Sequence, residues 1–189
     1  MRGIGDGSLD LDRFRRWLKQ DYLFLVEYCR LIALAAARAP ELSTLRRFAE
    51  LLQATAGTEM DLHRSYAAEL GVGVEELESE PMAPVTRAYT DFLIRTAATA
   101  DFAELASALL PCMWGYSEIG LRLAAGPRPP EPRYQRWIEA YADPEFARLA
   151  GWCRELVDGL GAEAGRTGRV RMREAFLVSS RYELAFWDV

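Results

Sequence analysis

The sequence predicts an all-α helical bundle. Apolar residues recur at helical spacing over several long segments, and Pro or Gly residues interrupt these segments at short intervals. No alternating apolar and polar run is bounded by hairpin signals, so no sheet is predicted. Amphipathic helices joined by short connections favour packing around one core. We therefore expect residues 1–189 to form a single helical domain.

The predicted helices are delimited by local signals: a capping Asp or a Pro in the first turn at several starts, and Gly or Pro at several ends. Residues 1–7 contain three glycines and are predicted to form a loop. Another loop is predicted for the proline-rich residues 126–132. The predicted helices span residues 10–38 (or from 12), 41–70, 84–98, 101–125, 134–141, 143–161 and 167–187, with a short helical turn at 74–78.

Composition restricts the possible functions. The chain has 189 residues, 50% of them hydrophobic, which is enough for a sizeable core without disulfides or metals. A net charge of −5 with interleaved signs argues against nucleic-acid binding. We find neither an uncharged run of membrane-spanning length nor a signal peptide. Cys29, Cys112 and Cys153 are far apart and form no CxxC pair, which indicates a reducing compartment and predicts a cytoplasmic protein.

The segment around Cys112 contains the first candidate site residue. Pro111 predicts a kink or a restart in the helix over 101–125. A thiol at the start of a new helix would be close to its positive end, which favours the thiolate. Tyr116 lies one turn later on the same face. Since a buried cysteine is more often a small core residue, both interpretations stay open at this point.

Asp21 is a carboxylate within an apolar helix face. It shares that face with Phe24 and Tyr28, at spacings of three and seven. Burying a carboxylate there is costly unless something donates a hydrogen bond to it. The alternative is that Asp21 lies at the boundary of the core or pairs with an arginine.

Three other polar side chains remain ambiguous from pattern alone. Glu183, three residues before Phe186, is either a site residue or a solvated charge near the end of the chain. Tyr89 and Tyr141 fit equally well as core aromatics.

His63, the only histidine, excludes one class of metal site. Glu59-x-x-x-His63 differs from the Glu-x-x-His motif of di-iron bundles, which moreover need two copies. A histidine that hydrogen-bonds a nearby polar group is the favoured interpretation, with haem ligation as an alternative.

Taken together, these segments resemble the TenA family, also called thiaminase II or aminopyrimidine aminohydrolase. The resemblance covers nearly the whole chain. It implies a haem-oxygenase-like fold, a homotetramer, and no metal or cofactor. The motifs are Gln20-Asp21-Tyr22-x-Phe24-Leu25-x-x-Tyr28, Glu59-x-x-x-His63, Tyr89-Thr90-x-Phe92-Leu93, Leu110-Pro111-Cys112-x-Trp114-x-Tyr116-x-Glu118-Ile119-Gly120, Tyr134-x-x-Trp137-Ile138-x-x-Tyr141 and Ser180-Arg181-Tyr182-Glu183-x-x-Phe186-Trp187-Asp188.

The resemblance also implies a reaction and roles for residues. Water would replace the amine of 4-amino-5-aminomethyl-2-methylpyrimidine, or the thiazole of thiamin, and the product would be 4-amino-5-hydroxymethyl-2-methylpyrimidine. Cys112 would add to the pyrimidine ring, Asp21 would bind and protonate the ring, and Glu183 would transfer protons. Tyr89 would orient the thiol and Tyr141 would assist Glu183. The aromatic walls of the substrate site would be Phe24, Tyr28, Tyr116 and Phe186, with Phe24 as a packing residue because the family often has tyrosine there.

Several alternatives accompany this prediction. The substrate could be a different aminopyrimidine, the protein could be a non-enzymatic regulator, or the scaffold could support haem or quinone-cofactor chemistry, for which one histidine is weak support. The chain also begins at what corresponds to the loop before the family's second helix. The first helix of the family is therefore expected to be absent, either because the sequence is truncated at its start or because the bundle does without this helix. In the second case an exposed apolar groove would favour a partner chain or aggregation.

Overall fold

The computed structural model describes residues 2–189, and every regular element in that range is helical. This confirms the predicted all-α class. The elements are α1 (Arg2–Asp6), α2 (Leu11–Arg38), α3 (Leu42–Ala54), a π-helical turn (Thr55–Glu59), α4 (Met60–Glu69), α5 (Val74–Ser79), α6 (Pro84–Thr99), α7 (Phe102–Ala124), α8 (Pro132–Tyr141), α9 (Pro144–Glu163) and α10 (Arg166–Phe186). Within residues 2–189, no helix combines the length and apolar character that crossing a bilayer requires.

Helices α2 and α7 form the centre of the bundle. Helix α2 packs against α3, α4 and α6, and α7 packs against α8, α9 and α10. The predicted Asp caps are in place: the side chains of Asp10, Asp101 and Asp143 accept hydrogen bonds from backbone N–H groups in the first turns of α2, α7 and α9. The apolar faces of α2 and α7 contribute nearly half of the buried hydrophobic residues, and most of the other helices pack against them.

The prediction of a loop at the N-terminus is wrong for residues 2–6, which form α1, while Met1 lies outside the described residues. Ile4 is 2% exposed and belongs to the core. Burying this side chain outweighs the helix penalty of the neighbouring glycines, which is about 1 kcal/mol each. Gly7, with φ of +77°, provides the left-handed residue after the helix end.

The helix predicted over residues 41–70 is interrupted by the π-helical turn. Within Thr55–Glu59 the chain is wider than an α-helix, so the residues that follow are rotated relative to those of α3. Helix α4 packs against α2 in this orientation. The turn therefore decides which side chains of this segment face the centre of the bundle.

Helix α7 continues through Pro111, as the predicted span of 101–125 requires, and of the two effects expected of this proline the restart before Cys112 does not occur. Cys112 lies in mid-helix, where no positive helix end stabilises a thiolate. Two side chains instead donate to carbonyls of the preceding turn: Tyr28 Oη to the oxygen of Leu109 at 2.9 Å, and Ser179 Oγ to that of Ala108 at 2.7 Å. These bonds connect α2 and α10 to the turn that carries the cysteine.

Gln20 joins α2 to the start of α6. Its amide donates to the carbonyl oxygen of Pro81 and accepts from the Ala83 N–H and the Thr86 hydroxyl, at 2.8 to 3.0 Å. All polar atoms of this buried side chain are thereby satisfied. These bonds fix the position of α2 along α6 next to Asp21.

Candidate active site

A small cavity lies where α2, the π-helical turn, α7 and α8 meet. We call it the inner cavity. Its volume is about 10 Å³, enough for roughly one water molecule. Its walls are formed by Asp21, Leu25, Tyr28, Glu59, Cys112, Met113, Tyr116, Tyr141 and Phe146. Residues distant in sequence thus bring a thiol, two carboxylates and three phenols around one space.

Cys112 is a buried thiol on the wall of the inner cavity, 8% exposed. Burial raises the pKa of this thiol well above its ordinary value, and the negative charges of Glu183, Glu59 and Asp21 raise it further, against a hydrogen bond with Tyr28 that lowers it. The resting group is therefore the neutral thiol. Its use as a nucleophile requires a base that removes the proton when the substrate is bound.

Asp21 is held by His63, which corrects the alternative of an arginine partner. The distance between His63 Nε2 and Asp21 Oδ2 is 2.6 Å, and both side chains are buried. His63 Nδ1 lies 2.9 Å from the backbone oxygen of Glu59, which can only accept, so Nδ1 carries a proton. Burial lowers the pKa of His63, but the hydrogen bond and charge of Asp21 outweigh it, and the net shift is upward. We assign the pair as imidazolium and carboxylate.

The His63 geometry also bears on haem ligation. Both ring nitrogens are engaged, one by Asp21 and one by the carbonyl of Glu59. Neither nitrogen is available to bind iron without breaking a buried hydrogen bond. The favoured interpretation of His63, as a histidine hydrogen-bonded to polar neighbours, agrees with this arrangement.

Glu183 is linked to α7 by three contacts in series. Tyr89 Oη lies 2.7 Å from Glu183 Oε1 and 2.8 Å from Ser179 Oγ, which lies 2.7 Å from the oxygen of Ala108. The Tyr89 hydroxyl donates to Glu183, and the Ser179 hydroxyl donates to the Ala108 carbonyl oxygen. Burial raises the pKa of the Glu183 carboxyl to about 7, while hydrogen bonds with Tyr89 and Cys112 lower it and the Asp21 charge raises it. Glu183 can therefore give or accept a proton near neutral pH.

Glu59 is a site residue that pattern analysis did not identify. Its Oε1 accepts a hydrogen bond from Tyr141 Oη at 2.9 Å. Burial raises the pKa of Glu59 to about 7; the positive charge of His63 and the Tyr141 hydrogen bond oppose the shift, and the charge of Asp21 adds to it. The sequence signal is a carboxylate one turn before the only histidine, in a motif that supports the family resemblance and does not match a di-iron site. It assigns no role to Glu59, because the π-helical turn that directs this side chain inward is not predicted.

The structure changes two of the predicted tyrosine pairings. Tyr141 donates to Glu59 rather than to Glu183, because the end of α8 and the π-helical turn line the same cavity. The hydroxyl of Tyr89 hydrogen-bonds with Glu183 and Ser179 rather than with the Cys112 thiol, and its role in orienting the thiol stays a prediction.

The predicted aromatic walls are divided between two layers. Tyr28 and Tyr116 border the inner cavity. Phe24 and Phe186 are buried behind it, with the Phe24 ring packed on Tyr28, Tyr89 and Phe186 at centroid distances of 4.9 to 5.5 Å. Substrate contact by Phe24 and Phe186 stays a prediction, and their observed role is to support Tyr28 and Tyr89.

The raised pKa values predict an unusual dependence of stability on pH. Glu59 and Glu183 keep their protons in the folded chain up to about pH 7, whereas in the unfolded chain they lose them near 4.5. His63, with its raised pKa, likewise binds its proton more tightly when folded. Because the folded state holds more protons over this range, we expect the free energy of unfolding to fall between pH 5 and pH 8, by roughly 5 kcal/mol.

Urea unfolding at intervals across that pH range measures this slope. The variant carrying both Glu59→Gln and Glu183→Gln should have a flatter profile, since two of the three groups no longer titrate. Stability that rises steadily from pH 5 to pH 8 in the unmodified chain would contradict the assigned protonation states.

The fold and the site define a helical-bundle protein with a buried thiol and carboxylates around one cavity, and comparisons identify its family. A family model described as "TENA/THI-4/PQQC family" matches residues 1–189. The chain is 41% identical to the aminopyrimidine aminohydrolase of Halalkalibacterium halodurans, covering 100% of this chain and 85% of the relative. The chain therefore belongs to the TENA/THI-4/PQQC family, as predicted. The match also confirms the predicted enzyme class.

Comparison with solved structures identifies the fold. A TenA homologue from P. horikoshii OT3 is 30% identical, has a TM-score of 0.89, and is matched over 98% of this chain and 85% of its own. A Shewanella denitrificans domain described as having a heme oxygenase-like fold is 16% identical with a TM-score of 0.75, over 99% of this chain and 81% of its own. The haem-oxygenase-like fold is thus confirmed.

Proposed function

We propose that this protein is a cysteine-dependent hydrolase of thiamin salvage that converts 4-amino-5-aminomethyl-2-methylpyrimidine to its 5-hydroxymethyl analogue, with thiamin as a second candidate substrate. The observation that carries the proposal is that Cys112 and Asp21 border one cavity. Glu183 does not line this cavity, but its charge is one of the causes that raise the pKa of the Cys112 thiol. The name of the Halalkalibacterium relative supports the aminopyrimidine as substrate.

Binding of the flat ring uses Asp21 and the aromatic residues. The Asp21 carboxylate, oriented by His63, accepts hydrogen bonds from the 4-amino group and from the protonated form of the adjacent ring nitrogen. Tyr28 and Tyr116 supply apolar surface for stacking. Because the inner cavity holds only about one water molecule, the substrate must displace side chains as it enters, and the closed form excludes solvent from the reaction.

The covalent steps use Glu183 as both base and acid. Its pKa near 7 is suited to both roles at neutral pH. In its ionised form Glu183 removes the Cys112 proton, and the thiolate adds to a ring carbon while the ring nitrogen takes a proton from the Asp21 and His63 pair. The added electron density breaks the bond between the methylene carbon and the amine nitrogen, and Glu183 passes the proton taken from Cys112 to the departing ammonia. Water then adds to the methylene carbon and gives a proton to Glu183. Glu183 returns this proton to the Cys112 sulfur as the thiolate leaves, and the ring nitrogen returns its proton to the Asp21 and His63 pair, which restores the ring.

Two further properties are proposed from the resemblance. We propose a cytoplasmic location and a homotetramer of the 21.3 kDa chain. Apolar side chains at the surface, among them Val170 and Leu184 at 59% and 73% exposure, support association with further copies. Light scattering should then give the mass of four chains in solution.

Incubation of the protein with the aminomethylpyrimidine and, separately, with thiamin tests the proposal. We expect release of ammonia and formation of the hydroxymethylpyrimidine in equal amounts from the first substrate, detected by chromatography. Turnover of neither compound would overturn this proposal and leave the alternatives of another aminopyrimidine or a regulatory protein.

A further inference from the structure

A second, larger cavity lies directly outside the inner one. We call it the outer cleft; its volume is about 350 Å³. It lies between α3, the π-helical turn and the loop joining α8 to α9, and Leu51, Leu62 and Leu149 supply part of its apolar lining. Glu59, Tyr141 and Phe146 border both cavities and therefore form the wall between them. A ligand that enters the inner cavity from this side passes Glu59.

Glu59 is the carboxylate on this wall, and its position is fixed by the backbone. As the last residue of the π-helical turn, it has its carbonyl oxygen bonded to His63 Nδ1, and its side chain accepts from Tyr141. Within residues 2–189 no arginine or lysine forms an ion pair with it. The nearby cation, His63, is already bonded to Asp21 at 2.6 Å.

The other two carboxylates of the site are already engaged. Asp21 is paired with His63, and Glu183 interacts with Tyr89 and with the Cys112 thiol. Glu59 has one hydrogen bond, from a neutral phenol, and an oxygen that remains for a ligand. Because its pKa is raised to about 7, Glu59 is only partly ionised at neutral pH, and a ligand that brings a positive charge favours the ionised form.

We propose that Glu59 is the counter-ion for the ammonium group of the substrate, and thereby selects the protonated aminomethylpyrimidine over its neutral hydroxymethyl product. This inference rests on the proposed function. A primary amine on a methylene carbon is protonated at neutral pH and offers N–H donors to the carboxylate. The product alcohol carries no charge and lacks this interaction. Glu59 therefore favours binding of the amine and release of the alcohol.

The test separates binding from turnover. In the Cys112→Ala background, calorimetry measures the Kd of the aminomethylpyrimidine and of the hydroxymethylpyrimidine with and without Glu59→Gln. The glutamine keeps the shape of the side chain and an oxygen for Tyr141, but loses the charge. We expect the Kd of the amine to rise about 10- to 100-fold, as for loss of a charge-assisted hydrogen bond, and that of the alcohol to change less than about 3-fold.

Glu145→Gln is the matched control. Glu145 borders the outer cleft but not the inner cavity, and it is paired with Arg148 at 2.8 Å. We expect little change for either ligand, which would exclude a general effect of removing negative charge. Glu59→Asp, which keeps the charge, should retain part of the preference for the amine if Glu59→Gln proves too unstable to measure.

The outcomes distinguish the inference from the function on which it rests. Equal weakening of both ligands by Glu59→Gln, or no weakening of either, would overturn the role of Glu59 and leave the hydrolase intact. Binding of neither pyrimidine by the Cys112→Ala parent would overturn the proposed function and this inference with it.

Discussion

Replacing Cys112 with alanine is expected to lower turnover of the aminopyrimidine by at least about 1,000-fold, as observed when a covalent nucleophile is removed from other enzymes. The thiol is the only nucleophilic sulfur on the wall of the inner cavity among the described residues. The bound ring should remain recognised by Asp21 and the aromatic walls, so substrate affinity should change much less than turnover. Steady-state release of ammonia and a binding measurement on the same preparation test both parts.

Cys29→Ala is the appropriate control for this variant. Cys29 is a free, partly exposed thiol on α2 that does not border the inner cavity. Its loss should leave activity within about 2-fold of the unmodified protein, since a partly exposed side chain away from the site contributes little. Activity of Cys112→Ala within about 10-fold of the starting value would exclude the covalent mechanism.

Gly120→Ala is expected to destabilise the fold strongly, although it adds only one methyl group. Gly120 lies on α7 where the end of α8 approaches, and a Cβ at this position would stand 2.6 Å from the carbonyl oxygen of Tyr141 and 2.8 Å from the backbone nitrogen of Ala142. Backbone atoms cannot rotate away as a side chain does, so α7 and α8 would have to separate. We expect a loss of about 3 kcal/mol in the free energy of unfolding.

Gly120→Ala should also displace Tyr141, which hydrogen-bonds Glu59 and lines the inner cavity, and so alter the geometry of the site. Turnover should therefore fall even at temperatures where the variant stays folded. Gly115→Ala, on the same helix with no atom within 4 Å of the added Cβ, should instead raise stability by about 0.5–1 kcal/mol. Urea unfolding of both variants measures the contrast. Effects of the same sign at the two positions would show that the close contact at Gly120 is not maintained in solution.

The sequence pattern was sufficient to predict where most of the helices lie. The Asp caps and Pro starts placed the beginnings of α2, α6, α7 and α9 within one or two residues, because these signals act through local backbone groups. The motifs also indicated the family, the site thiol at Cys112 and the carboxylates Asp21 and Glu183. These are properties of residue type and spacing, which a single chain displays directly.

The elements that were mispredicted depend on packing. Ile4 is helical because the core covers it, against the preference of its glycine neighbours. The π-helical turn has no reliable composition signal, yet it directs Glu59 towards the cavity. At Pro111 the surrounding helices bind the preceding carbonyls, and the helix continues.

The sequence by itself determined the helical class and the family, and it supplied the reacting groups that we propose, since these follow from periodicity and from residue types. Only the tertiary structure decided how those groups are paired: His63 with Asp21, Tyr141 with Glu59, and Tyr89 with Glu183 and Ser179. The physical reason is that protonation depends on burial and on neighbours brought together from distant segments. A local pattern therefore identifies an acid but not whether it holds its proton.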